Sequence, residues 1–145
     1  MSGSRSTARF LAIQAIYQWQ MAGQNIDEII DHLYNSNEKR EVDYNYFRQL
    51  VVGVSNDFLL LDKTIKLYID RAIESIDPVE RAILRLGVYE LTSQTEVPYK
   101  VVINEAIEMA KIFGADQGHK FVNGVLDKFV KSMSLPGKST VNEII

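Results

Sequence analysis

From Phe47 to Ile69 the apolar residues of this chain return every three or four positions: Phe47, Leu50, Val51, Val54, Phe58, Leu61, Ile65 and Ile69. That period puts them along one side of a single long α-helix, starting near Asp43 and reaching about Ile69. Such a helix cannot shelter its stripe from water alone, so the chain must supply other helices to cover it. The same spacing supplies them. Ala8, Leu11, Ala12, Ala15, Ile16 and Trp19 mark a first helix from about Ser6 to Met21, stopped by Gly23. Ile29, Ile30 and Leu33 mark a short second one from about Ile26 to Tyr34. The polar run NSNEKREVD, Asn35 to Asp43, reads as a surface loop. A three-helix lobe over about residues 4–70 is expected.

The string Ile76-Asp-Pro-Val-Glu80 opens a second lobe, over about residues 76–134. Asp77 is a good N-cap, Pro78 suits the first helical position, and Glu80 stands where a capping box reaches back. Ile83, Leu84, Leu86, Val88 and Leu91 follow, in a helix that should end before Pro98. Val102, Ile103, Ala106, Ile107, Ala110 and Phe113 define the next, from about Tyr99 to Phe113, with Gly114 as its stop. A last helix should run from about Asp116 to Met133. Beyond Leu135-Pro-Gly137 the sequence reads as a mobile tail, residues 135–145. No strand-like alternation interrupts the helical period. The expected fold class is therefore all-α, with two packed helical lobes in a single domain.

Much chemistry is excluded by what is missing. There is no cysteine, hence no disulfide and no thiolate metal site, which suits the cytoplasm. The two histidines, His32 and His119, do not form a HExxH pair, and no nucleophile elbow or dinucleotide fingerprint occurs. Gly137-Lys-Ser-Thr140 matches only the end of a phosphate-binding loop, because Ser132 stands where its first glycine belongs. Glu105 and Glu108 lie on a helix surface without an apolar pocket to raise a pKa. Neither catalysis, metal nor cofactor is expected. The opening MSGSRSTARF lacks the apolar stretch of a signal peptide, and no apolar run approaches membrane-spanning length.

Charge is more suggestive. The net charge is −3, so the molecule as a whole is not an electrostatic binder of nucleic acid. Acids crowd residues 27–62, however, while residues 1–26 carry Arg5 and Arg9 and no acid. The other end is basic again, with Lys120, Lys128, Lys131 and Lys138 against Asp127 and Glu143. If the two ends meet in space they form a basic patch; otherwise they are solvated helix faces. Within the last helix stands HKFVNGVLDK, His119 to Lys128, with Gly124 in its interior at a cost of roughly 1 kcal/mol relative to Ala. Either a second helix packs closely there or the backbone of a ligand approaches.

Five strings, in order, resemble the NusB family of bacterial transcription antitermination factors. They are Ala15-Ile-Tyr-Gln-Trp-Gln20, Tyr46-Phe-Arg-Gln-Leu-Val-Val-Gly53, Val79-Glu-Arg-Ala-Ile-Leu-Arg-Leu-Gly-Val-Tyr-Glu-Leu91, Val97-Pro-Tyr-Lys-Val-Val-Ile-Asn-Glu-Ala-Ile107 and His119 to Lys128. The resemblance covers about residues 4–134. It implies a NusB-like fold of two helical lobes and a non-enzymatic role. That role is to bind the boxA element of nascent RNA together with NusE, a small-subunit ribosomal protein. The assembly, with other Nus factors and RNA polymerase, supports read-through in ribosomal RNA operons.

Single-stranded RNA is held by cations on phosphates and by rings or amides on unstacked bases. In the family, the N-terminal arm and the final helix contribute to the RNA surface. The candidates that this implies are Arg5, Thr7, Arg9, Gln14 and Tyr17 at one end, and Lys120, Phe121, Asn123 and Lys128 at the other, facing one groove. Several have a plainer reading. Phe121 shares core spacing with Val125 and Phe129, Tyr17 can be core with a surface hydroxyl, Thr7 can be a helix-start residue, and Asn123 can bridge helices. Many family members begin with a dense arginine run, whereas this chain has only Arg5-Ser-Thr-Ala-Arg9. Fewer phosphate contacts predict a shallower salt dependence and heavier reliance on the partner. By resemblance the partner meets the start of the fourth helix, which nominates Glu74, Glu80 and Arg81, with Glu80 equally suited to capping.

Two rival functions stay open at this point. NusB-like domains also form the RNA-binding front of some ribosomal RNA cytosine methyltransferases, but this chain has no cysteine and no length for a methyl-donor domain. A helical interaction module without RNA affinity is the other, and would bind no RNA even with the partner present.

Overall fold

The computed structural model describes residues 2–37 and 41–133. Six α-helices make up the described residues: α1 Ser2–Ala22, α2 Ile26–Ser36, α3 Tyr44–Ile65, α4 Pro78–Ser93, α5 Tyr99–Phe113 and α6 Gly118–Lys131. Two short 3-10 turns, Lys66–Tyr68 and Ile73–Ser75, link α3 to α4, and no strand occurs among the described residues. The fold is all-α, as expected. The expected tail, residues 135–145, the partial phosphate-loop string and Lys138 lie outside the described residues.

Helix ends follow local chemistry, with instructive departures. Asp43 caps α3 by accepting from the Tyr46 N–H at 3.0 Å. Asp77 caps α4 by accepting from Val79 and Glu80 N–H, and Pro78 sits at its start. Helix α2, capped at its start by Asn25, continues to Ser36 and takes the first residues of the expected loop, where the Ser36 hydroxyl and the Asn37 amide bond back to the His32 and Leu33 carbonyls. The α3 helix ends four residues early and tightens into the 3-10 turn at Lys66. The α6 helix begins at Gly118 instead of Asp116, since Gln117 adopts a left-handed conformation with φ 68°.

Helix α4 is the axis of the molecule. It packs against α1 and α3 on one side and α5 and α6 on the other, so every residue from Ala82 to Leu91 is buried. The apolar residues of all six helices form one continuous core. The two expected lobes thus share α4 and a common interior.

Surrounding a helix on all sides forces its polar residues indoors, where they must be paired. At the middle of α4, Arg85 donates to both carboxylate oxygens of Asp62 on α3, at 2.8 and 2.7 Å, and to Gln20 on α1 at 2.8 Å. Near its end, Glu90 accepts two bonds from Arg9 on α1, each 2.9 Å, and one from the Tyr46 hydroxyl on α3. These two buried clusters pin α4 to α1 and α3 in one register. Burial opposes a charged Arg9, but the bond and charge of Glu90 outweigh it and raise the guanidinium above its ordinary value. Burial, then the Glu90 bond, pushes the Tyr46 hydroxyl up as well.

Candidate nucleic-acid interface

Helix α6 buries Val122, Val125, Leu126, Phe129 and Val130, which leaves Lys120, Gly124 and Lys128 on one ridge, four residues apart. That ridge faces the segment 67–71 across a groove of about 350 Å³, lined by Leu67, Tyr68, Arg71, Lys120, Phe121, Gly124 and Lys128 among others. A Cβ added to Gly124 would meet nothing within 4 Å. The glycine is therefore not there to admit a second helix. It opens the floor of the groove.

The groove has the chemistry of a single-strand binding surface. Lys120 and Lys128 are exposed and form no ion pair among the described residues. The Arg71 guanidinium lies over the Phe121 ring, 4.7 Å from its centroid, and its only ion pair among the described residues is an exposed one with Asp70 at 3.3 Å. A guanidinium over an aromatic ring, with two exposed lysines beside it, is the kind of surface that can take a base and its phosphates. The Tyr68 hydroxyl, 2.7 Å from Ser132 Oγ, and its ring against Phe129 hold the 66–68 turn to α6. Phe121 packs against the core and also lines the groove.

The other sequence candidates are placed elsewhere. Arg9 is 3% exposed, and its guanidinium is bonded to Glu90 and, at 3.1 Å, to Glu105. It belongs to the interior and offers no free cation to a phosphate. Arg5 lies over the Tyr46 ring at 4.1 Å, near Asp43 and Glu96, and is half-buried, as is Thr7. Gln14 and Tyr17 do not share the α6 groove. They line a second, mainly apolar cavity of about 440 Å³ with Ile13, Met21, Val79 and Phe113. Asn123 is exposed on α6 but does not line the groove. The expectation that both chain ends face one groove is replaced by two separate surfaces. Arg71 and Tyr68 were not singled out in the sequence, because nothing local brings residues 68–71 beside residues 120–128.

Of the three expected partner contacts only Glu74 is exposed. Arg81 donates to the carbonyls of Ile73 and Glu74, at 3.3 and 3.4 Å, and so staples the 73–75 turn. Glu80 does not reach back as a capping box. Its side chain is buried beneath the start of α6, where a Cβ on Gly118 would overlap its carboxylate. Burial, then the nearby Asp77 charge, raises its pKa above the ordinary carboxylate value. The native state therefore holds this proton more tightly than the unfolded chain. Its contribution to stability is full below the unfolded pKa and is lost as pH rises through the raised native one. Glu80→Gln should remove that component, so denaturant titrations from about pH 4 to 8 should show a flatter profile than the parent. Parallel profiles would mean that Glu80 titrates as an ordinary surface carboxylate.

Among the described residues, no group of acidic, histidine or cysteine side chains is placed to hold a metal, and no helix is long and apolar enough to cross a membrane. The model of the NusB family matches residues 6–131. The chain is 54% identical over 126 residues to the transcription antitermination protein NusB of Shewanella amazonensis, covering 87% of this chain and 94% of that protein. It is 52% identical over 130 residues to that of Pseudoalteromonas atlantica, covering 90% and 93%. A crystal structure of the antitermination factors NusB and NusE in complex with double-stranded RNA superposes with a TM-score of 0.84 at 28% identity, covering 92% of this chain and 100% of that one. T. maritima NusB superposes with a TM-score of 0.80 at 28% identity, covering 87% and 89%.

Proposed function

The chain belongs to the NusB family, and on that footing we propose that it is a transcription antitermination factor that binds boxA-type RNA together with the ribosomal protein NusE. The observation that carries the RNA part is the α6 groove, where two lysines without an ion pair among the described residues flank a glycine floor and the Arg71 guanidinium over Phe121. Phosphates would lie along Lys120 and Lys128, a base would stack at Phe121, and the backbone would come closest at Gly124. Arg5 and Thr7, at the start of α1 and away from this groove, would meet a different stretch of the RNA. Binding and positioning suffice for this role; it needs no catalysis and no cofactor. Its place is the cytoplasm, in a larger assembly with other Nus factors and RNA polymerase.

For the ribosomal partner the second cavity is the better surface. Its lining is largely apolar, and Tyr17 and Met21 stand exposed on its rim at 38% and 56%. Buried Glu80 and the turn-stapling Arg81 would support that region from beneath.

The test is a titration of a boxA-like oligonucleotide and a scrambled control, each with and without the partner. Selective binding that the partner strengthens is the expected result. Equal or absent binding to both RNAs with the partner present would leave a NusB-like fold serving some other interaction. Gly124 adds a sharper check. Gly124→Ala should stabilise the fold by about 1 kcal/mol, whereas Gly124→Leu should fold normally and bind the RNA poorly. Undiminished affinity in the leucine variant would remove the glycine floor from the RNA path.

A further inference from the structure

The α3 helix carries two apolar faces, and only one of them is covered. Its inward stripe, from Phe47 to Ile65, lies in the core. On the other side Leu59, Lys63 and Leu67 fall four residues apart, with Leu60 three before Lys63, along the end of the helix and into the following turn. The three leucines are 72%, 65% and 74% exposed. With Ile73 and Glu74 they border a third cavity, about 800 Å³, that the RNA groove touches only at Leu67. Scattered surface leucines are ordinary, but three on one ridge beside a concavity mark a contact surface.

The charges around the ridge select its occupant. Asp62 is committed to Arg85 in the interior, at 2.7 Å. Lys63 and Lys66 are exposed and form no ion pair among the described residues, which leaves Glu74 as the one carboxylate of the lining not already paired. The surface is thus apolar with a cationic edge. A second copy of the chain, docked about a two-fold axis, would bring two such cationic edges together with only Glu74 from each lining to offset them. RNA would find no ring, amide or guanidinium among these leucines on which to place a base. We propose that the Leu59–Leu60–Leu67 ridge is a docking site for an acidic amphipathic helix of a partner protein, adjoining the RNA groove at Leu67 and distinct from the Tyr17 cavity. The partner's apolar side chains fill the cavity between the ridge and Ile73, and its flanking carboxylates meet Lys63 and Lys66.

The experiment uses the full chain and three synthetic helical peptides, titrated calorimetrically. One carries a leucine stripe flanked by glutamates, one the same stripe flanked by lysines, and one a scrambled version of the first. Only the first should bind well. Lys63→Glu with Lys66→Glu should weaken it about tenfold, two exposed pairs' worth, and strengthen the lysine peptide. Leu60→Asp should abolish binding without altering thermal unfolding, because Leu60 lies outside the core. Equal affinity for both charged peptides, or none for either, overturns the proposal. Dimerisation that Leu60→Asp abolishes would overturn it in favour of a second copy. Peptide affinity that rises on removal of residues 134–145 would do so in favour of the chain's own end. Loss of RNA affinity in the double lysine variant as large as in Lys120→Ala would reassign the edge to RNA.

Discussion

Arg9→Met should cost the fold roughly 3–5 kcal/mol, the usual penalty for stranding one member of a buried ion pair. The stranded group is Glu90, 2% exposed, which among the described residues would keep the Tyr46 hydroxyl as its one side-chain donor. Denaturant unfolding measures the loss directly as a lower midpoint at constant slope. A second variant separates charge from packing. Arg9→Met with Glu90→Gln keeps an acceptor for Tyr46 and removes the orphaned charge, so much of the lost stability should return. If the double variant is no better than the single one, the cluster matters through shape alone. The RNA readout differs in kind. Under conditions where Arg9→Met is folded, its salt dependence of binding should match the parent, because Arg9 touches no phosphate. A shallower slope would return Arg9 to the RNA surface.

Lys120→Ala with Lys128→Ala should do the reverse. Both side chains are exposed, and neither is part of the core, so stability should change little. RNA affinity should fall roughly tenfold or more at moderate salt, about equally for boxA-like and scrambled sequences. The slope of log affinity against log salt should flatten by about 1.4, or 0.7 for each phosphate contact to a single strand. Arg71→Ala belongs beside this pair as a contrast. It removes the guanidinium over Phe121 and should cost selectivity as well as affinity, since a stacking platform meets bases and a lysine meets phosphates. An unchanged slope in the double lysine variant would show that the groove is not the phosphate track.

The helices and most of the core were legible in the sequence. The stripe Phe47, Leu50, Val51, Val54, Leu61 and Ile65 is buried as its period requires, and the Asp77–Pro78 start of α4 is where the cap residues put it. The candidate site was legible on one helix only. Lys120, Phe121 and Lys128 share a groove, as their spacing on α6 allows, but the opposite wall comes from residues 67–71. Long-range packing brought those residues there, and no local pattern announces it. The same holds for Gln14 and Tyr17, which sit on α1 as expected yet face Val79 and Phe113.

What the sequence determined by itself was therefore everything that repeats within a turn or two of backbone: the all-α class, the caps, the inward faces and the solvent-facing lysines of α6. Period and capping are local, because each depends on side chains within about four residues of one another. Tertiary structure decided the fate of the charges. Arg9 and Lys120 looked alike as cations on helices near the chain ends, but α4, surrounded on all sides, draws Arg9 inward to Glu90 and leaves Lys120 in water. Whether a charged side chain serves the interior or a ligand depends on which elements cover it. That covering is a property of the assembled fold, in which a buried charge must find its partner across many residues of sequence.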